Sequence, residues 1–260
     1  MENVKGIILA GGDGTRLKPM TDLISKQLLP IYNKPMIFYP LSILINCGIK
    51  EIAIITKSAD QNDYKNILSD GNQWGVKIHY FIQDKPNGIA EAFLITEEWL
   101  NNSPSMLILG DNLFYGKSLT KIIKKTCKKD YGASIFVHQV SNPKRYGVIS
   151  LDEDKKVSKI IEKPSDPDPN WAVTGLYYYD QKAPKYVRNL KPSKRGELEI
   201  TDLNNIYLKK DKLDVEFLGG GYTWLDAGTV DSLLEASNFV KNLKSSQGLS
   251  IGEPSINNKY

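Results

Sequence analysis

Cysteine and histidine are scarce, with two of each in 260 residues. Cys47 and Cys127 have neither metal nor redox spacing and read as ordinary reduced thiols. His79 and His138 fall inside strand-like patterns with no partner motif, so neither reads as catalytic. No apolar run is long enough to span a bilayer, and Met1 leads into the first apolar run without a signal-peptide pattern. A cytoplasmic protein with no membrane partner is expected. Charge of one sign is also lacking: the net charge is +4, with lysines and acids interspersed. That is too mild and scattered for nucleic acid, although it leaves room for a local cationic site. Neither a repeat nor a linker divides the chain, so one compact domain is expected over two.

What is present begins with Val4–Leu9, a short apolar run that reads as a buried strand, and the loop Ala10-Gly11-Gly12-Asp13-Gly14-Thr15-Arg16-Leu17. Three glycines in four positions let backbone N–H groups approach a ligand. Arg16 closes the loop, and Lys26 follows in Ser25-Lys26-Gln27-Leu28-Leu29-Pro30. Exposed amides plus two cations at the carboxyl end of a strand suit a polyphosphate. The loop is not a dinucleotide fingerprint, because Leu17 stands where the third glycine belongs. Nor is it a Walker A loop, since no Gly-Lys-Ser/Thr follows. A plain glycine turn with a solvated arginine is the alternative.

Downstream, the pattern alternates: a helix over 34–48 with Gly48 at its end, a strand over 51–56, a helix over 60–69, a strand over 76–82, a helix over 88–100 and a strand over 105–111. This predicts an α/β chain with a mostly parallel sheet covered by helices on both faces. Ligands of such sheets lie outside the carboxyl ends of the strands, where the glycine loop, the segment after Gln83 and Asp111 all fall. A basic helix over 118–129 reads as a solvated face. A strand over 133–140 precedes a hairpin of 147–151 and 157–161 around 152–156. A proline-rich loop (Pro164, Pro167, Pro169) then leads to a strand over 172–179. Helices over 182–189 and 201–210, strands over 215–218 and 222–226, and a helix over 230–243 with Leu233, Leu234, Phe239 and Val240 on one face complete the pattern.

Asp111 and Asp226 each stand where a buried strand gives out. Such a pair suits Mg²⁺, which takes one or two protein carboxylates and completes its shell with phosphate and water; turn or capping acids are the alternative. Lys163, in Glu162-Lys163-Pro164, reaches the same rim if the hairpin lies over the sheet, or is a surface lysine. Thr201 reads as a helix N-cap after Glu197 and Glu199, which either accept sugar hydroxyls or are first-turn acids.

Taken in order, these stretches resemble the bacterial glucose-1-phosphate thymidylyltransferases, within the sugar nucleotidyltransferases. The resemblance runs from Lys5 to Gly248 and rests on Leu9–Leu17, Ser25–Pro30, Leu109-Gly110-Asp111-Asn112, Glu162-Lys163-Pro164, Val173-Thr174-Gly175-Leu176-Tyr177 and Gly196–Asp202. Asn112 stands where uridylyltransferases often carry a second Asp, which points to the thymidylyl branch. The resemblance implies a Rossmann-like mixed, mostly parallel sheet with a small β-hairpin region for the sugar. It implies that dTTP and glucose 1-phosphate are converted to dTDP-glucose and pyrophosphate with Mg²⁺ on Asp111 and Asp226. Arg16 and Lys26 would be catalytic. Leu9, Gly11, Gly12, Gly14, Thr15, Gln83, Pro86, Gly88 and Asp111 would bind the nucleotide. Gly147, Glu162, Lys163, Val173, Gly175 and Tyr177 would bind the sugar phosphate. A homo-oligomer, dimer or tetramer, is implied as well. Residues 1–245 would form the catalytic domain, with 246–260 an irregular tail in place of a further helical segment. Asn87 replaces a common Asp and is expected to matter little.

Overall fold

The computed structural model describes residues 3–129, 131–154, 156–166 and 170–254. Strand and helix alternate at first as the apolar spacing dictates: β1 (Lys5–Leu9), the two-residue strands β2 (Pro30–Ile31) and β3 (Lys34–Pro35), α1 (Phe38–Asn46), β4 (Glu51–Thr56), α2 (Gln61–Leu68) and β5 (Lys77–Ile82). Two short helices, α3 (Ala92–Ile95) and α4 (Glu97–Leu100), lead to β6 (Ser105–Leu109), β7 (Asn112–Gly116) and α5 (Leu119–Thr126). Next come β8 (Ala133–Gln139), β9 (Gly147–Leu151), β10 (Val157–Glu162) and β11 (Trp171–Tyr179). After these lie α6 (Ala183–Val187), α7 (Ile200–Leu208), β12 (Leu213–Leu218), β13 (Tyr222–Asp226) and α8 (Val230–Gln247).

The main sheet is nine-stranded and mixed, in the order β10-β9-β11-β6-β1-β4-β5, with β8 beside β11 and β12 beside β8. Its centre is parallel: Ile8 lies opposite Ile54 on β4 and Ile108 on β6. β11 then runs antiparallel to β6. Successive side chains point to opposite faces. Thus Ile8, Ile54 and Ile108 pack with Leu41 and Leu44 of α1, Tyr64 and Leu68 of α2 and Ile123 of α5. Their neighbours Ile7, Ile55 and Leu107 pack with Phe93 of α3, Val187 of α6 and Tyr207 of α7. Both faces are covered, which is why the central strands are continuous apolar runs. Each fully buried isoleucine contributes about 1.5–3 kcal/mol. A third cluster joins Leu113 of β7 to Met36, Ala236 and Val240 beneath α8.

Several boundaries differ from the sequence reading. Helix α1 begins at Phe38 because Lys34 and Pro35 pair with Ile31 and Pro30 instead. Pro40 is therefore its third residue, where no helical N–H is needed. The helix expected over 88–100 is two pieces, since Thr96 leaves helical geometry (φ −102°, ψ 6°) and its hydroxyl donates to the Ala92 carbonyl at 2.7 Å. Thr201 is not the N-cap of α7; Glu199 holds that place in extended geometry. Leu234 does not join the covered face of α8 and is 61% exposed. The expected irregular tail begins later, because α8 continues through Ser245–Gln247. Strand β7 was not foreseen. Lys155 of the hairpin turn, Pro167 and Pro169 of the proline loop, and residues 255–260 of the tail lie outside the described residues.

Gly88 fixes the approach of the β5 exit to the segment before α7. Its φ is +109°, and an added Cβ would fall on the Leu198 backbone, which accepts from Ala90 N at 3.2 Å and donates to the Asn87 carbonyl at 2.6 Å. Gly88→Ala is expected to lower stability by about 1–3 kcal/mol, read as a lower urea midpoint; an unchanged midpoint would contradict this packing.

Candidate functional site

The first strand delivers its loop into a braced rim. Gly14, at φ +63°, starts a 3₁₀ turn over Thr15–Leu17, and the Thr21 hydroxyl donates to its carbonyl at 2.9 Å. A Cβ on Gly14 would lie 2.9 Å from Thr21 Cγ2 and 3.2 Å from Lys26 Cβ. One on Gly11 would lie 3.2 Å from Gln83 Oε1. Gly14 is therefore fixed as glycine by its positive φ and close contacts, while a side chain on Gly11 would press on Gln83. Asp13 forms an ion pair with Lys57 at the exit of β4. Lys26 is only 9% exposed, and its Nζ lies 2.5 Å from Asp111 Oδ2.

Strand β7 explains how the two aspartates meet. It pairs antiparallel with β13 so that Asn112 faces Asp226, and Ala227 N donates to the Asp111 carbonyl at 3.0 Å. Asn112 then ties the centre together. Its Nδ2 donates to Asp111 Oδ1 at 2.8 Å, while its Oδ1 accepts from Gly175 N at 3.0 Å and Trp224 Nε1 at 2.6 Å. Burial pushes the Asp111 carboxyl up, but the Lys26 charge and the hydrogen bonds from Lys26 and Asn112 outweigh it and leave it below the usual range. Asp226 goes the other way: burial and then the Asp111 charge raise it, against the pull of Lys26, Arg145 and Arg16. Arg145 Nη2 lies 3.2 Å from Asp226 Oδ2. At Gly228 a Cβ would meet Asp226 Oδ1 at 2.8 Å and Arg16 Nη2 at 2.9 Å, so Arg16 and Asp226 share one spot.

A cleft of about 650 Å³ opens beside this centre. Thr15, Arg16, Asp111 and Asp226 line one part of it, and Gly147, Glu162, Lys163, Val173, Gly175 and Tyr177 line the other. The hairpin places Glu162 opposite Gly147. Glu162 Oε2 accepts from Thr201 Oγ1 at 2.6 Å, and Lys163, at φ +43°, is held by its N–H to the Tyr146 carbonyl at 3.0 Å. Glu199 is taken by Arg195 at 2.8 Å and by Ser193 at 2.7 Å, so it is neither idle nor free. Lys26 joins the cleft through Asp111. Leu9, Gly11, Gly12, Gly14, Gln83, Pro86 and Gly88 do not line it; they belong to the adjoining rim, where Gln83 packs on Gly11 and donates to the Gly88 carbonyl at 3.2 Å. Arg145, Tyr146, Arg195 and Trp224 also line the cleft. Sequence reading assigned them no role. Arg145-Tyr146 directly before the hairpin was the one signal for the first pair, whereas Arg195 and Trp224 carry none.

Phosphate-suited amides, cations and paired carboxylates thus lie between the Gly11–Gln83 rim and a polar cleft. The profile of the nucleotidyl transferase family matches residues 5–242. The chain belongs to that family. It is 50% identical over 248 residues to the glucose-1-phosphate thymidylyltransferase of Neisseria meningitidis, covering 95% of this chain and 86% of the relative. It is 51% identical over 251 residues to that of Xanthomonas campestris, covering 96% and 85%. A crystal structure assigned to a glucose-1-phosphate thymidylyltransferase from Bacillus anthracis, in complex with sucrose, superposes with a TM-score of 0.86 at 39% identity, covering 96% of this chain and 98% of that one. UDP-glucose pyrophosphorylase complexed with UDP-glucose gives 0.80 at 26% identity, covering 93% and 99%.

Within this nucleotidyl transferase, Asn112→Ala is expected to cost about 2–4 kcal/mol, because the buried Gly175 and Trp224 donors lose their acceptor. Urea unfolding measures it. A loss below about 0.5 kcal/mol would mean that the two donors find other partners.

Proposed function

We propose that this chain transfers a thymidylyl group from dTTP to glucose 1-phosphate, giving dTDP-glucose and pyrophosphate. The observation that carries the reading is the Lys26–Asp111 pair beside Asp226, set between the glycine-loop rim and the Lys163 cleft. The identities of about half with proteins of that activity support it. A phosphate oxygen of the sugar phosphate attacks the α-phosphorus of dTTP, the bond to the β-phosphate oxygen breaks, and pyrophosphate leaves. The nucleophile is already ionised, so no base or covalent intermediate is required. The obstacle is repulsion between two anions, and positioning plus charge cancellation removes it.

In this reading the Gly11–Thr15 amides and Arg16 hold the triphosphate and the departing pyrophosphate. Lys26 stands at the α-phosphate, and Lys163 holds the sugar phosphate. Glu162, Gly147, Val173, Gly175 and Tyr177 enclose the glucose, while Gln83, Pro86 and Gly88 meet the base beside Leu9. Asp111 and Asp226 are hard oxygen donors, each made less favourable by the other, and a divalent cation relieves that. They fit Mg²⁺, which they would hold and which would supply charge neutralisation at the reacting phosphates. Among the described residues no helix is long and apolar enough to cross a membrane. A cytoplasmic homo-oligomer, dimer or tetramer, belongs to the same proposal.

The test is pyrophosphate release with dTTP, UTP, dCTP, ATP and GTP crossed against several sugar 1-phosphates. The dTTP and glucose 1-phosphate pair should be fastest; no release with any pair would favour a silent nucleotide-sugar binder. Lys26→Ala is expected to lower kcat by about 100-fold or more, with the chain still folded but its unfolding midpoint lowered because Asp111 loses its buried cation. Lys163→Ala is expected to raise KM for glucose 1-phosphate by about tenfold while KM for dTTP stays put; an effect confined to dTTP would move Lys163 out of the sugar half. Turnover persisting in excess chelator would remove the metal from Asp111 and Asp226.

A further inference from the structure

Gln83 is held by contacts that leave one of its atoms open. It follows the carboxyl end of β5 and is only 6% exposed. Its Nε2 donates to Glu91 Oε2 at 2.7 Å and to the Gly88 carbonyl at 3.2 Å. An amide nitrogen carries two hydrogens, and both are used. Turning the amide over would set Oε1 against a carboxylate and a carbonyl, both of which only accept. Glu91 is itself held from the other side, where Asn87 Nδ2 donates to its Oε1 at 2.8 Å. Glu91, by the shorter contact, and the Gly88 carbonyl thus permit a single orientation. The remaining atom, Gln83 Oε1, faces the glycine loop near Gly11 and accepts no hydrogen bond among the described residues.

A pyrimidine seated beside Gly11, with its phosphates on the loop, would bring its polar edge to this atom. Thymine and uracil carry N3–H, a donor. Cytosine carries a lone pair at N3, an acceptor. A glutamine free to turn could serve either base by offering its carbonyl or its amide. We infer that Glu91 is the positioning residue that fixes Gln83 as an acceptor and so selects an imide base, thymine or uracil, over cytosine. The inference rests on the nucleotidyl transfer proposed above. It differs from a shape filter, because the rejected base is the one whose lone pair faces another acceptor without a hydrogen between them.

The experiment compares the full chain with Glu91→Gln and Glu91→Ala. The amide that Glu91→Gln introduces can either donate or accept, so the shorter of the two contacts no longer opposes turning and only the Gly88 carbonyl, at 3.2 Å, still does. Calorimetric binding of dTTP and dCTP, without sugar phosphate, is read beside kcat/KM for each. The parent chain is expected to favour dTTP, and Glu91→Gln to shrink the dTTP/dCTP ratio by about tenfold or more. Part of that change should be a gain with dCTP, while KM for glucose 1-phosphate stays unchanged. A ratio held by both variants would overturn the inference, as would equal losses for the two nucleotides with a lowered unfolding midpoint. So would a parent chain that binds both equally. A dTTP preference in binding that Glu91→Gln shrinks, with no product formed, would instead sink the proposed reaction and leave Glu91 supported.

Discussion

Asp111 and Asp226 stand side by side in a largely buried place, and that arrangement is unfavourable unless cations offset it. The surrounding structure supplies them. Lys26 pairs with Asp111, Arg145 with Asp226, and Arg16 reaches the same spot near Gly228. Each cation comes from a different stretch of chain, so the charge balance also pins the loop after β1, the turn before β2 and the entry to the hairpin to one another. Asn112 completes the arrangement by binding one carboxylate while accepting from Gly175 and Trp224. The small size of Gly175 follows from this, since a Cβ would come within 2.5 Å of Asn112 Oδ1.

The topology makes this meeting possible without long excursions. β1 lies between β6 and β4, so the glycine loop and Asp111 emerge on the same rim from neighbouring parallel strands. β11 runs the opposite way against β6, and its Val173–Tyr177 stretch faces the rim as the floor of the cleft. β9 and β10 then extend the sheet to present Gly147 and Glu162 over that floor. The parallel centre carries the phosphate-suited half, and the antiparallel extension carries the half with Lys163.

What was legible in the sequence is local or apolar. Strands 51–56 and 222–226 were readable to the residue because apolar runs with clear turn signals bound them. The glycine loop was readable because three glycines directly after an apolar run mark an abrupt strand exit, although a Cβ on Gly12 would meet nothing. The meeting of Asp111 with Asp226 was not, as it depends on β7, and Asn112–Gly116 alone reads as a loop leaving a strand. Arg195 was invisible for a similar reason. Its partners Glu197 and Glu199 are local, but Glu162, which ties it to the cleft, joins them only once the hairpin packs against α7. The N-cap at Thr201 failed because its hydroxyl had a stronger partner in Glu162. In each failure a tertiary hydrogen bond or charge pair overrode a local preference.

The wall shared by Gln83 and Gly11 has a consequence for how such a site can diverge. Gln83 touches the loop that suits phosphates, and its amide is fixed by Glu91 and by the Gly88 carbonyl. Gly88 in turn can approach Leu198 only because it lacks a side chain, and Leu198 introduces the helix that carries Thr201 beneath Glu162. In the proposed reading, backbone contacts therefore link the base-facing end to the sugar-facing end. On that reading, altering which base is accepted without disturbing the sugar half means keeping the Gly88–Leu198 contact and the volume beside Gly11. Few positions satisfy both. Glu91 meets both, because its carboxylate accepts only from the side-chain amides of Gln83 and Asn87, while the Leu198 contact runs through the backbone of Asn87 and Gly88.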